Sequence, residues 1–294
     1  MKTKKFRITA VLIILILLML FFWNHRKLKI EEPMGKIVLN YLFSEDMIGE
    51  DPSTLVSVDP FTGSVSPISN GGISPARIMG NTSIELYEDF DWIKETDLLK
   101  TFNLKTKETK TVYEANGYIK SFEYVDETHV SVVEDKDLFL VNIEDGSKKL
   151  LVESVEPEHS WSSDRKMLYY ASFGYPEPEK ICVLNIDTGE TKELFRGICP
   201  KISKDGTKLA YFPDPGGTIK VRDLSNDKEW KINANYFTDF CFSPDGRFIC
   251  TVEVPFILSL HGNVVKIWDY KTGASKMLLS SKYYDRSSDL DWIE

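Results

Sequence analysis

Short runs of alternating apolar and polar residues recur from Gly35 to the end of the chain, each closed by a polar turn. Alternation at a period of two predicts β-strands with one buried face. Six runs end in a large apolar residue just before their turn: Trp92, Tyr124, Trp161, Ile202, Phe242 and Trp292. Successive members are 32, 37, 41, 40 and 50 residues apart. The best-formed copies read Ile202-Ser-Lys-Asp-Gly and Phe242-Ser-Pro-Asp-Gly. In such a turn Asp bonds its local backbone and Gly takes a positive φ. Trp161-Ser-Ser-Asp-Arg165 is the same turn without its glycine, and the copies at Tyr124 and Trp92 are looser.

A second hairpin recurs farther along each repeat, opening at Asp59, Asn103, Asn142, Asn185, Asp223 and Asp269. Glycine fills its left-handed position at Gly63, Gly146, Gly189 and Gly273; Lys107 and Asp227 stand there in the other two. Two hairpins per repeat mean four strands, and this period is that of a β-propeller. The two ladders are offset, so the first blade lacks a first strand. Asp289-Leu-Asp-Trp-Ile293, nearly a copy of Asp89-Phe-Asp-Trp-Ile93, is placed to supply it. The predicted fold is all-β, a six-bladed propeller of four-stranded blades closed by the C-terminal strand and preceded by one transmembrane helix. The blades are 288–294 with 35–69, then 70–115, 116–153, 154–197, 198–234 and 235–287. Closure by the last strand removes free sheet edges. Trp92, Trp161 and Trp292 are predicted to sit in the core between blades.

The first 29 residues differ from the rest. Ile8–Trp23 is apolar except for Thr9, with Lys2, Lys4, Lys5 and Arg7 before it and Arg26, Lys27 and Lys29 after it. No small-x-small cleavage site follows the apolar run, so an uncleaved signal anchor is expected over residues 1–29, spanning about 8–23. A linker covers 30–34 and the propeller 35–294. This layout predicts a single-pass cell-membrane protein with its N-terminus cytoplasmic and its propeller extracytoplasmic.

The Phe242-Ser-Pro-Asp-Gly-Arg turn followed by Val265-Lys-Ile-Trp-Asp-Tyr-Lys-Thr-Gly273 resembles the bacterial TolB-like and WD40-like propellers. The resemblance covers the whole propeller as architecture and is clear as motif in blades four to six. The glycine–histidine element of WD40 repeats is absent, since His261 precedes Gly262 in the reverse order. The resemblance implies a binding platform; the fold alone fixes no reaction.

Charge narrows the partners. The formal net charge is −9, but the seven basic and no acidic residues of the first 29 leave 29 basic and 45 acidic residues beyond them, a net of −16. Such a surface repels nucleic acid and suits a protein or basic peptide. No G-x-S-x-G elbow, H-E-x-x-H pair or glycine-rich phosphate loop occurs, and the histidines at 25, 129, 159 and 261 form no close pair.

The candidate chemistry is acidic. In the first strand of a blade, the positions one and three before the ladder residue share a side. They carry Asp89, Asp91, Glu123, Glu158, Asp239, Asp289 and Asp291. Converging at a channel mouth, these carboxylates would hold Ca²⁺ through oxygen ligands or clamp a basic peptide. The alternative is that they cap turns and pair locally. A second candidate surface is the long loops between second and third strands, with Phe173, Tyr175 and Phe256. Cys241 and Cys250 flank one turn; the alternatives are a cross-strand disulfide or two small buried residues. Three functions remain: a non-enzymatic protein-binding platform, a lyase or glycan-processing enzyme with its site at the channel mouth, and a structural or sensor subunit of an envelope complex.

Overall fold

The computed structural model describes residues 35–41, 54–69, 76–78, 84–174, 178–214, 217–233, 236–254, 264–280 and 290–293. Within them 24 strands form six four-stranded antiparallel sheets. Blade one holds β1 (Lys36–Tyr41), β2 (Thr54–Val58) and β3 (Val65–Ser69). Blade two holds β4 (Ala76–Ile78), β5 (Ile84–Asp91), β6 (Thr96–Asn103) and β7 (Thr109–Glu114). Blade three holds β8 (Ile119–Tyr124), β9 (His129–Glu134), β10 (Asp137–Asn142) and β11 (Lys148–Val152). Blade four holds β12 (Val155–Trp161), β13 (Met167–Ser172), β14 (Lys180–Asn185) and β15 (Thr191–Arg196). Blade five holds β16 (Ile198–Ile202), β17 (Lys208–Phe212), β18 (Thr218–Asp223) and β19 (Glu229–Asn233). Blade six holds β20 (Tyr236–Phe242), β21 (Ile249–Val254), β22 (Val264–Asp269) and β23 (Ala274–Ser280).

The last strand, β24 (Asp291–Ile293), returns to blade one and pairs with β1 in the register Ile37↔Trp292. The ring is thus closed by hydrogen bonds between the two ends of the propeller. A side-chain latch adds to it: Asp239 Oδ2, on β20 of blade six, accepts the Leu290 N–H at 2.9 Å. Behind the latch Trp292 and Leu290 pack with Ile37, Leu39, Val56, Cys241, Cys250 and Ile267, one cluster shared by blades six and one. Equivalent apolar clusters lie between blades two and three, three and four, four and five, and five and six. The alternating strands of the sequence therefore bury their apolar faces against the next blade rather than in one central core.

Blade two departs from the sequence expectation. Its sheet order is β4-β5-β6-β7, so the strand that ends at Trp92 is the second strand, not the first. The turn at Trp92–Glu95 joins second to third strand. Trp92 is accordingly 84% exposed, with an edge contact to the Phe90 ring at a centroid distance of 4.8 Å. Trp161 and Trp292 are buried between blades as expected.

The anchor expected over 8–23 and the linker lie outside the described residues. Among the described residues no helix is long and apolar enough to cross a membrane.

Candidate functional site

The first strands β8, β12, β16, β20 and β24 stand side by side around a central channel. Antiparallel order then gives the disc two distinct faces. Connections from first to second and from third to fourth strands emerge on one, here the turn face. Connections from second to third strands and between blades emerge on the other, the loop face.

Local hydrogen bonds build the turn face. At every third-to-fourth connection the opening Asp or Asn accepts backbone N–H groups two or three residues on, as Asp59 does from Phe61 and Thr62 at 2.7 and 2.9 Å. The residue four positions on is left-handed in all six copies, with φ of 77° at Gly63, 64° at Lys107, 72° at Gly146, 73° at Gly189, 60° at Asp227 and 72° at Gly273. The first-to-second turns of blades four, five and six share another device. Ser162, Ser203 and Ser243 each donate Oγ–H to the Asp two residues on, at 2.7, 2.6 and 2.6 Å. Each Oγ also accepts the N–H five residues on, at 2.9 Å.

These turns rim a cavity of about 400 Å³ at the turn-face mouth of the channel. Its floor is a layer of first-strand residues one position before the ladder: Glu123, Ser160, Lys201, Cys241 and Asp291. An adjoining lobe of about 250 Å³ adds Ile78 of β4, which stands where the sequence reading had placed Asp91. Across this layer Lys201 Nζ pairs with Glu123 Oε1 at 3.2 Å, joining blades five and three over blade four. Arg165 and Lys204, both on turns, complete the charged lining. The sequence reading missed these two; the signal was the residue standing in for glycine in the blade-four turn.

The predicted acids are held in different places. Asp89 and Asp91 lie on β5, away from the channel. Asp89 pairs with Lys100 and accepts the Phe90 N–H at 2.9 Å. Asp91 accepts the N–H groups of Lys94 and Ile93 at 3.1 and 2.9 Å, and these bonds hold its carboxyl below the usual range. Asp239 is 7% exposed and closes the ring through the Leu290 N–H. Asp291 faces the turn-face cavity and accepts the Trp292 N–H at 2.8 Å. Glu158 sits within a register shift between β12 and β13 and accepts the Cys199 thiol at 3.6 Å. Burial first, then the Glu158 charge, pushes that thiol well up. Register shifts recur near the start of β8, β16 and β20, and they interrupt the alternation on which the position three before the ladder was counted. Asp289 lies outside the described residues. Among the described residues no three His, Cys, Asp or Glu side chains lie close enough to share a metal ion. Cys241 and Cys250 are opposite each other in register, buried, and free thiols.

The loop face is different. Trp92 and Ile93 project from the blade-two turn, Ile93 with 95% of its surface exposed. Tyr118 opens blade three and is 62% exposed, and Phe173 at the end of β13 is 55% exposed. Tyr175 and Phe256 lie outside the described residues. Acids surround the aromatics: Glu95, Glu114, Asp135 and Glu153 are exposed. Glu156 is nearby on the same face, its carboxyl pushed up by burial and by the like charges of Glu179 and Glu158. The cations there are mostly engaged: Lys94 with Glu114 at 2.8 Å, Lys180 with Glu193 at 2.8 Å and Arg196 with Asp214 at 3.1 Å.

Solved structures share this ring. TolB from Acinetobacter baumannii superposes with a TM-score of 0.67 at 15% identity over 88% of this chain. The fold is that of a TolB-like six-bladed β-propeller. This chain covers 66% of that TolB chain. A chain of the nidogen/laminin complex matches with a TM-score of 0.62 at 8% identity, over 87% of this chain and 95% of that one. The putative TolB from Agrobacterium tumefaciens matches with a TM-score of 0.53 at 14% identity, over 85% of this chain and 90% of that one. No family model and no curated protein matches the sequence. At these identities the TolB-like propeller fold is what is shared.

Proposed function

We propose that this chain is a membrane-anchored, extracytoplasmic propeller that binds a protein or basic peptide on its loop face and catalyses no reaction. The observation that carries the reading is the row of exposed apolar side chains on three successive blades, Trp92 and Ile93, Tyr118 and Phe173, set among acids. Aromatic anchors in a polar rim are the usual make-up of a docking surface. The acids favour a basic partner and speed its encounter. The presence of a chain of similar fold in the nidogen/laminin complex supports protein binding as a role. The anchor is supported by the apolar run Ile8–Trp23 between two basic clusters.

Two experiments test this. A photo-crosslinking residue at position 92 in the full chain should capture a partner that the same residue at position 61, on the turn face, does not. Adding an Arg/Lys-rich peptide should compete that product away, and Trp92→Ser/Ile93→Ser should lose it. Equal capture at 61 and 92 would sink the loop-face assignment. The anchor is tested by fractionation: the chain should stay with membranes after carbonate washing, and external protease should digest the propeller in spheroplasts. Release by carbonate would remove the anchored topology.

A further inference from the structure

The turn-face cavity lies on the opposite side of the disc from the proposed docking surface and poses a separate question. Three related turns stand around it, and at one position they differ. Blades five and six have Gly206 and Gly246 there, at φ 69° and 66°; blade four has Arg165, at φ 60°. The hydrogen bond is the same in all three, from that residue's N–H to the Ser three positions earlier, at 2.8, 2.8 and 2.9 Å. A left-handed conformation is strained for any residue with a Cβ, and glycine would relieve it. Space does not select glycine in these turns: a Cβ built at Gly206 meets nothing within 4 Å, and one at Gly246 only the Ser203 Cβ at 3.6 Å. Lys107 and Asp227 show that a repeated turn can carry such strain elsewhere, so what singles out Arg165 is where its side chain lies.

Arg165 lines both lobes of the cavity. Among the described residues its side chain makes no hydrogen bond or ion pair, so its guanidinium fork is not committed to the fold. Lys204 and Lys201 line the same space, and with Arg165 they are three cations against the carboxylates of Glu123 and Asp291. Among the described lining residues cations thus outnumber carboxylates three to two, in a chain of net charge −9. Trp161 and Trp292 supply apolar wall. The Ser160 Oγ accepts the Ile202 N–H at 3.2 Å, leaving its own proton to donate. A volume of about 400 Å³ is in the range of small-molecule sites. A planar guanidinium pairs with a carboxylate through two parallel hydrogen bonds.

We propose that this cavity binds a carboxylate, carried either by a small organic acid or by the C-terminus of a peptide, with Arg165 as its bidentate anchor. The test is calorimetric titration of the full chain in detergent with benzoate, benzamide, an acetylated pentapeptide with a free C-terminus, and the same pentapeptide as its amide. At least one acid should bind, and its neutral counterpart should bind at least tenfold more weakly. Arg165→Gly should lose the acid at least tenfold while its melting temperature stays level or rises, because the turn regains the residue its siblings use. Arg165→Lys, which keeps charge but not the fork, should weaken binding by a smaller factor. Benzoate binding as tightly as the pentapeptide acid assigns a free small acid; a pentapeptide preference of tenfold or more assigns a chain terminus. The proposal is overturned if neither acid binds, if Arg165→Gly binds within twofold of wild type, or if it melts lower. Sulfate competing as well as the acids would overturn the carboxylate assignment.

Discussion

The two faces of the disc are ends of the same strands, yet they are built on different physics. On the turn face, side chains and backbone N–H groups of neighbouring residues close every described connection. Six Asp or Asn caps and three Ser-x-Asp turns repeat with nearly the same distances. On the loop face the connections differ in length and present apolar surface to water. The contrast teaches where to look for function in a repeat protein. Where the repeat is strict, one deviating residue is informative, as Arg165 is. Where it is loose, an exposed side chain that packing does not require is informative, as Trp92 is.

The sharpest experiment removes what both faces share. Deleting residues 289–294 takes away β24, the Leu290 N–H that Asp239 holds and the Trp292 contact between blades. Cooperative unfolding in urea should be lost, and with it binding on both faces; a truncated chain that still unfolds in a single native-like transition would disprove ring closure by this strand. Trp292→Ala is the milder form and should cost about 3–5 kcal/mol by chemical denaturation.

The next variant separates the faces. Trp92→Ser with Ile93→Ser should abolish partner capture yet change stability by no more than about 0.5 kcal/mol, since both side chains are in water already. A loss of several kcal/mol would return Trp92 to the core.

Backbone conformation gives a smaller, paired test of the turn face. Gly206→Ala should cost about 1 kcal/mol, because the left-handed position penalises a Cβ even though space is open. Arg165→Gly should shift stability by a similar amount or less in the opposite direction. Equal and unfavourable shifts in both would mean that the turns are not equivalent.

Acidification supplies the gentlest probe. Burial opposes ionisation of Asp205, but bonds from Ser203 and Thr207 outweigh it and lower the carboxyl to about 2. A depressed carboxyl contributes stability that is present above its unfolded value and lost as pH falls through about 2. Glu156 on the loop face is shifted the other way, by burial and then by Glu179 and Glu158. Its charge is unfavourable to the fold above the unfolded value, and protonation on acidification relieves it. Capture of a basic peptide on the loop face should therefore weaken first on acidification, while the blade-five turn persists to lower pH. Hydrogen exchange at the Thr207 and Lys208 amides and peptide binding, followed across the same pH series, check the order.

Much of the ring was legible in the chain. The six second-hairpin turns were located to the residue, including the two that use Lys107 and Asp227 in place of glycine, because their chemistry is local. The pairing of the last strand with β1 followed from an unmatched first blade. Blade two was misread because Asp89-Phe-Asp-Trp-Ile93 so closely copies the closing strand. The spacing carries the difference: 11 residues separate Trp92 from Asn103, whereas 18, 24, 21 and 27 separate the next four ladder residues from their second hairpins. Eleven residues hold one strand and a turn, not two strands and their connections.

The sequence by itself determined the strands outside blade two, the second-hairpin turns, the blade number and the closure, because alternation and turn chemistry act between residues a few positions apart. Only the tertiary structure decided which groups meet: that Lys201 reaches Glu123 across blade four, that Asp239 holds the returning strand, that Arg165 looks into a cavity and that Trp92 faces water. Alternation says which side of a strand a residue takes. Its neighbours on that side depend on sheet order, on bulges in the first strands and on the packing of one blade against the next.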